Sequence, residues 1–254
     1  MNRRVFLGAV GSVASVGTLA YTTRDSIETL EVRVWLSEAA AEYDGVTARI
    51  RDYLETFLDV EFWSLDLSVG GTIAVSSENG ADVTTSGEWP LALAAGAVGR
   101  GDVDPVSDVN LLVTDGQMTE TPTGYGLPHV ASVGGARHIA ALEPVDDLRS
   151  RPDVDERRWI VPNERAIRTM QVLIHEVGHA LGLEHEHGVS FVSDDAIVAT
   201  PMLSSYAWDA DYDADRSLCG TSYPTPDGRT RKLSLVFSAC ARREIAEYGG
   251  VAVQ

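Results

Sequence analysis

Residues 175–185 read His-Glu-Val-Gly-His-Ala-Leu-Gly-Leu-Glu-His, and this run restricts the chain more than any other part of it. On a helix, residues four apart lie on one face about one turn from each other, so His175 and His179 can offer ring nitrogens to a single ion. Glu176 falls beside that pair. Gly182 can take the left-handed conformation that ends a helix and turns the chain back, which brings His185 in from outside the helix as a third ligand. Three protein ligands leave the fourth position of a zinc ion open to water, the pattern of a catalytic site. A zinc that only braces the fold would take a fourth Cys or His and would have no use for Glu176. The nearby His187 reads as a solvated residue or as a support for the ligands. Histidine is 6 of 254 residues, so chance agreement at five fixed positions is on the order of one in ten million per window.

The run resembles the zinc helix of the metzincin metallopeptidases, H-E-x-x-H-x-x-G-x-x-H followed by a methionine turn. Thr200-Pro201-Met202-Leu203-Ser204-Ser205-Tyr206 supplies the second half, with Met202 17 residues after His185 in a turn-prone, Pro- and Ser-rich setting. The resemblance implies that Met202 is an apolar floor beneath the imidazoles and not a ligand. Taken alone, Met202 would read as gap-filling core. Glu186 directly after His185 is similar to the H-E pair of astacin-like enzymes. Those carry a tyrosine two residues after the methionine, whereas Tyr206 is four residues after Met202. Tyr206 therefore reads as a donor to the reacting carbonyl or as a core tyrosine with a satisfied hydroxyl. No cysteine-switch motif of the matrixin type is present, and the resemblance names the clan without a subfamily.

What the resemblance implies is a zinc-dependent endopeptidase with one catalytic Zn2+ held by His175, His179 and His185. Glu176 would take the proton of the attacking water and pass it to the leaving amine. The implied fold is mixed α+β. It has a twisted, mostly parallel sheet of about five strands with a backing helix and an active-site helix, then a smaller C-terminal subdomain ending in a helix. The catalytic domain would run over 21–254, its upper part to about 182 and its lower part over 183–254. An edge strand of the upper sheet, placed at 123–136, would pair with an extended protein or peptide substrate. Two other readings stand beside this one: a surface-attached zinc-binding module without turnover, which the intact Glu176 disfavours, and a zinc hydrolase acting on a non-peptide bond.

The first residues, Met1-Asn2-Arg3-Arg4-Val5-Phe6-Leu7-Gly8, resemble a twin-arginine export signal, followed by an uncharged apolar run to Ala20. Residues 1–20 are thus expected to be a signal peptide engaging the export machinery, which makes the enzyme secreted. The alternative is an uncleaved N-terminal anchor at the outer face of the cell membrane. Without residues 1–20 the chain has 18 basic and 38 acidic residues, a net charge of −20, with Lys232 the only lysine and the acids spread along the whole length. Such a surface repels itself at low ionic strength and is tolerated when salt screens it, as in a halophile's exported protein; the alternative is an ordinary acidic secreted protein. Nucleic acid is excluded as a partner, because its phosphates would be repelled. A monomer is expected.

Cys219 and Cys240 form an even pair that an exported chain readily oxidises; closing a loop of about 20 residues would stabilise by roughly 3 kcal/mol. The alternative is two buried free thiols. Leu30, Val32, Val34 and Leu36 alternate with polar residues as a first strand. The spacing of Val46, Ile50, Tyr53, Leu54, Phe57 and Leu58 predicts a helix near 39–58. Further strands are expected at 61–69, at Val109–Val113 and within 129–142. Asn163 is a candidate N-cap for the zinc helix, whose apolar stripe is Ile167, Met170, Ile174, Val177 and Leu181. Leu233, Phe237, Cys240, Ile245 and Tyr248 predict a closing helix. Asp209, Asp211, Asp213 and Asp215 alternate as a Ca2+ loop would. The EF-hand glycine is Ala214, however, and no glutamate closes the loop, so a solvated acidic loop is the preferred reading. His129 and His138 read as packing or surface histidines, and Gly70-Gly71 and Gly134-Gly135 as turns or bulges.

Overall fold

The structure, a computed structural model, describes residues 28–58, 63–118, 124–208, 218–219 and 228–248. The predicted signal and the acidic loop at 209–215 lie outside the described residues. Strand β1 (Thr29–Ser37) leads into a short helix α1 (Glu38–Ala41) and the backing helix α2 (Val46–Phe57). The single helix expected over 39–58 is two helices, because Gly45 takes φ +83° and starts α2 afresh. Its predicted stripe is nevertheless the buried face. Strand β2 (Ser64–Ile73), helices α3 (Gly80–Thr85) and α4 (Glu88–Ala97), and the wholly buried strand β3 (Val109–Val113) follow. Strands β4 (Gly124–Leu127) and β5 (Val130–Val133) form a hairpin, and helices α5 (Ala136–Ala140) and α6 (Val145–Arg149) come next. The expected strand content of 129–142 thus ends at 133; Gly135, at φ +84°, turns the chain into α5.

These five strands make one sheet in the order β2-β1-β3-β5-β4. Every pair is parallel except β4 with β5, so β4 is an antiparallel edge. The fold is the expected mixed α+β arrangement with a mostly parallel five-stranded sheet. Gly70-Gly71 is a bulge: pairing passes from Val34–Val69 to Trp35–Gly71 and skips Gly70. One face of the sheet buries Leu30, Val32, Val34, Leu111 and Val113 against α2 and the long helix described next. The opposite face buries Trp35, Leu112 and Val130 against Val83, Trp89 and Leu93 of α3 and α4. Both faces are covered, as a mainly parallel sheet requires.

Strand β6 (Ile160–Pro162) precedes the 16-residue helix α7 (Arg165–Ala180). Strands β7 (Ser190–Ser193), β8 (Ala196–Ala199) and β9 (Thr230–Ser234) come after it, and helix α8 (Ala239–Tyr248) follows. They build a second sheet in the order β6-β9-β8-β7 that the sequence reading did not contain. Because β6 lies before α7 yet pairs with β9, the division near residue 182 does not separate the two sheets. The closing helix also starts later than expected. Leu233 belongs to β9 and Phe237 to the connection, so only Cys240, Ile245 and Tyr248 of the predicted set lie on α8. Among the described residues no helix is long and apolar enough to cross a membrane.

Candidate active site

Helix α7 is built by its buried stripe of Ile167, Met170, Ile174 and Val177, which faces the main core. Asn163 does not cap it. The cap position is Glu164, which makes no side-chain cap bond, and the Asn163 Oδ1 is buried with no hydrogen-bond partner among the described residues. Glu164 is instead held from outside by Arg151, at 2.8 Å and 3.3 Å. The helix ends as the glycine predicts: Gly182 sits at φ +88°, and the Leu183 N–H reaches back to the Gly178 carbonyl at 2.9 Å. The chain then reverses into a 3-10 turn over His185–His187.

The reversal brings the three predicted ligands together. The Nε2 atoms of His175 and His185 each lie 3.1 Å from Nε2 of His179. Zn–N bonds of about 2.0–2.1 Å at tetrahedral angles would place ligand nitrogens about 3.3 Å apart, so these two spacings fit that ion. Their orientation is set from behind. His175 Nδ1 donates to the Pro201 carbonyl and His179 Nδ1 to the Leu183 carbonyl, both at 2.7 Å, which leaves each Nε2 as the lone-pair donor. Burial pushes the His175 imidazole well below the usual range, with repulsion from its two neighbours adding to it. Burial, aided by His185, lowers His179 to about 4. His185 is lowered as well, again by burial. The three rings are therefore neutral ligands near pH 7.

Glu176 is buried next to the cluster, and burial alone raises its carboxyl well above the ordinary range. It faces the edge strand β4. A Cβ built on Gly124 would overlap the Glu176 carboxylate, and one on Gly126 would overlap His179 Cβ and crowd the Glu176 backbone oxygen at 2.7 Å. The two glycines are what allow the strand to lie directly on the zinc helix. They were not singled out from the sequence, although Gly124-Tyr125-Gly126, with glycine on one face of a strand, is a readable sign of close backbone approach. Of the expected 123–136, only Gly124–Leu127 is the edge strand; 130–133 belongs to the inner strand β5. Between β4 and the histidines lies a cleft of about 330 Å³, walled in addition by Pro128, Glu184 and Tyr206.

The turn joining β4 to β5 is bound to the same helix. His129 is buried at φ +70°; its N–H donates to the Ala180 carbonyl at 2.9 Å, and its Nδ1 lies 3.1 Å from the Asp108 carbonyl. It is a packing histidine, as expected. His138 is also apart from the ligand cluster, half-buried on α5.

Met202 is buried under the site, its sulfur against the backbone of Gly178, while its neighbour Pro201 carries the carbonyl that orients His175. Tyr206 is not a core residue: it is 38% exposed, lines the cleft, and its ring centre is 4.5 Å from that of His185. His187 is buried rather than solvated, and its Nδ1 accepts the Glu184 N–H at 2.9 Å. Cys219 and Cys240 form a disulfide with Cα atoms 5.8 Å apart.

One family model matches the part of the chain that builds this site. The matrixin family model matches residues 135–202, a span from α5 through the zinc helix to Met202. The crystal structure of archaemetzincin from Methanopyrus kandleri aligns with 89% of this chain and 98% of that chain, with a TM-score of 0.41 and 15% identity. No curated protein matches the sequence. With three convergent imidazoles on a helix and reversed turn, and a matrixin match over the residues that build them, the chain carries a three-histidine site of the metzincin zinc type.

Proposed function

We propose that the protein is an exported zinc-dependent endopeptidase that cleaves extended segments of protein substrates. The observation that carries this reading is the stacking of β4 on α7, which puts an open strand edge, a buried carboxylate and three metal-binding nitrogens along one cleft. His175, His179 and His185 would hold the ion. When bound, zinc supplies Lewis-acid polarisation and a water acidified toward neutrality. Glu176 lies beside that position without being in the ligand set, so it accepts the water's proton and delivers it to the departing amine. The outer edge of β4, paired with no other strand among the described residues, offers backbone groups to a substrate strand, and Tyr206, whose ring lies beside His185, would donate its hydroxyl to the developing oxyanion.

Export rests on the twin-arginine-like residues 1–20, and action in high salt on the net charge of −18. The test is metal analysis combined with digestion of a peptide library in molar salt. About one zinc per chain and internal cleavage sites are expected. Release of single residues from peptide ends, or no peptide cleavage by zinc-loaded protein, would replace the endopeptidase reading.

A further inference from the structure

His185 is the one ligand that does not ride on α7, and the turn carrying it is gripped by the C-terminal part of the chain. The Leu218 N–H donates to the Glu186 carbonyl at 3.1 Å. The next residue, Cys219, has its sulfur 3.7 Å from that oxygen and 3.6 Å from the His187 carbonyl oxygen, and it is bonded to Cys240 on α8. The Ser238 hydroxyl donates to the His187 carbonyl at 2.8 Å and accepts the Ala241 N–H at 3.0 Å, which joins the turn to the start of α8. Glu244, also on α8, lies 3.9 Å from His187 Nε2. On its other side the turn is backed at Gly188, where an added Cβ would overlap the Leu203 backbone nitrogen.

We infer that Ser238 and the Cys219–Cys240 disulfide are positioning residues for the third metal ligand, so that α8 sets how tightly the site holds zinc. The inference rests on reading the three histidines as a zinc site. His175 and His179 are spaced by the helix itself, whereas His185 sits in a single short turn closed by local bonds, His187 N–H to Glu184 O at 3.0 Å, Gly188 N–H to His185 O at 2.8 Å and Glu184 N–H to His187 Nδ1 at 2.9 Å. Without the grip of α8 the turn samples more conformations, and binding the ion must order it again. Loss of one such supporting contact commonly weakens metal binding by about 10–100-fold.

The experiment uses the full chain and three variants: Ser238→Ala, Ser238→Thr, and the double variant Cys219→Ala/Cys240→Ala, which introduces no new thiol. Zinc dissociation constants are measured by competition with a chromogenic chelator. The visible spectrum of the Co2+-loaded protein reports ligand geometry, and melting of the metal-free protein reports general stability. Zinc binding about 10–100-fold weaker and an altered Co2+ spectrum are expected for Ser238→Ala and the double variant, with Ser238→Thr near the parent. A purely structural role would lower only the metal-free melting temperature; an unchanged zinc constant in Ser238→Ala therefore overturns the inference even if the double variant does not fold. A parent that takes up no zinc overturns the metal site and this inference with it. A parent that binds zinc, with variants that bind as tightly, overturns the inference alone.

Discussion

Gly126→Ala should disable the enzyme while leaving most of its stability. The added Cβ would sit 2.7 Å from the Glu176 carbonyl oxygen, against ordinary contact from 3.4 Å, and closer still to His179 Cβ. Both neighbours belong to the largely buried α7, so it is β4 that must retreat, by about 1 Å to relieve the tighter contact with His179 Cβ. Overpacking of this kind costs about 1–3 kcal/mol. Misplacement by 1 Å near a reacting centre can cost about 100-fold, so kcat/KM should fall about 100-fold, or roughly 2.7 kcal/mol of transition-state stabilisation. The assay is kcat/KM on a cleaved peptide, with zinc content and a urea melt on the same samples. Gly45→Ala is the control. Its φ of +83° makes alanine strained, yet an added Cβ meets nothing within 4 Å, so it should lose about 1 kcal/mol of stability and no activity. Gly126→Ala with the parent's kcat/KM would show that the approach of β4 to α7 plays no part in catalysis.

Glu176→Gln should retain about one zinc per chain and lose activity toward or beyond the upper end of a 10²–10⁴-fold range; cleavage within about tenfold of the parent would remove Glu176 as the base. Metal-free protein should lose stability as pH falls from about 6.5 to about 4. In that interval the unfolded His179 binds a proton that the folded residue, lowered to about 4, refuses. That is worth roughly 3 kcal/mol in urea melts, should be absent above pH 7, and should shrink in His179→Asn; a pH-independent difference between the two proteins contradicts it. Activity and melting temperature should rise from dilute buffer to molar salt, because screening relieves repulsion within a chain of net charge −18. Full stability at low salt would refute that account.

The site was legible because its spacing is local. His175, Glu176, His179, Gly182 and His185 lie within three turns of chain, and helix geometry plus one left-handed glycine is enough to bring the nitrogens together. Strands β1 and β3 were legible for a similar reason, since alternation or a short apolar run needs no knowledge of partners. What failed depends on contacts between distant segments. Asn163 has the right residue type for a cap, but Glu164 is drawn to Arg151 and the helix begins one residue later than that cap would set. The β7–β8 hairpin, with Asp194 at φ +53° in its two-residue turn, carries a local sign that was passed over. Leu233 repeats at helical spacing with Phe237, yet it completes β9 because β6 and β8 flank it on both sides. The role of Gly124 and Gly126 exists only once α7 lies beneath them.

The left-handed turn at His129, tied to the last carbonyl of the zinc helix, has a consequence for what can be cut. It joins the roof of the cleft to its floor at one end, which holds that end of β4 down on the helix. On the proposed function, a compactly folded region of a target protein would find the gap too narrow, while a frayed terminus, an exposed linker or a denatured chain would slide in lengthwise. Selection then acts first on the foldedness of the target and only afterwards on its side chains. A native globular protein and the same protein unfolded should differ far more in cleavage rate than two unfolded peptides of different sequence.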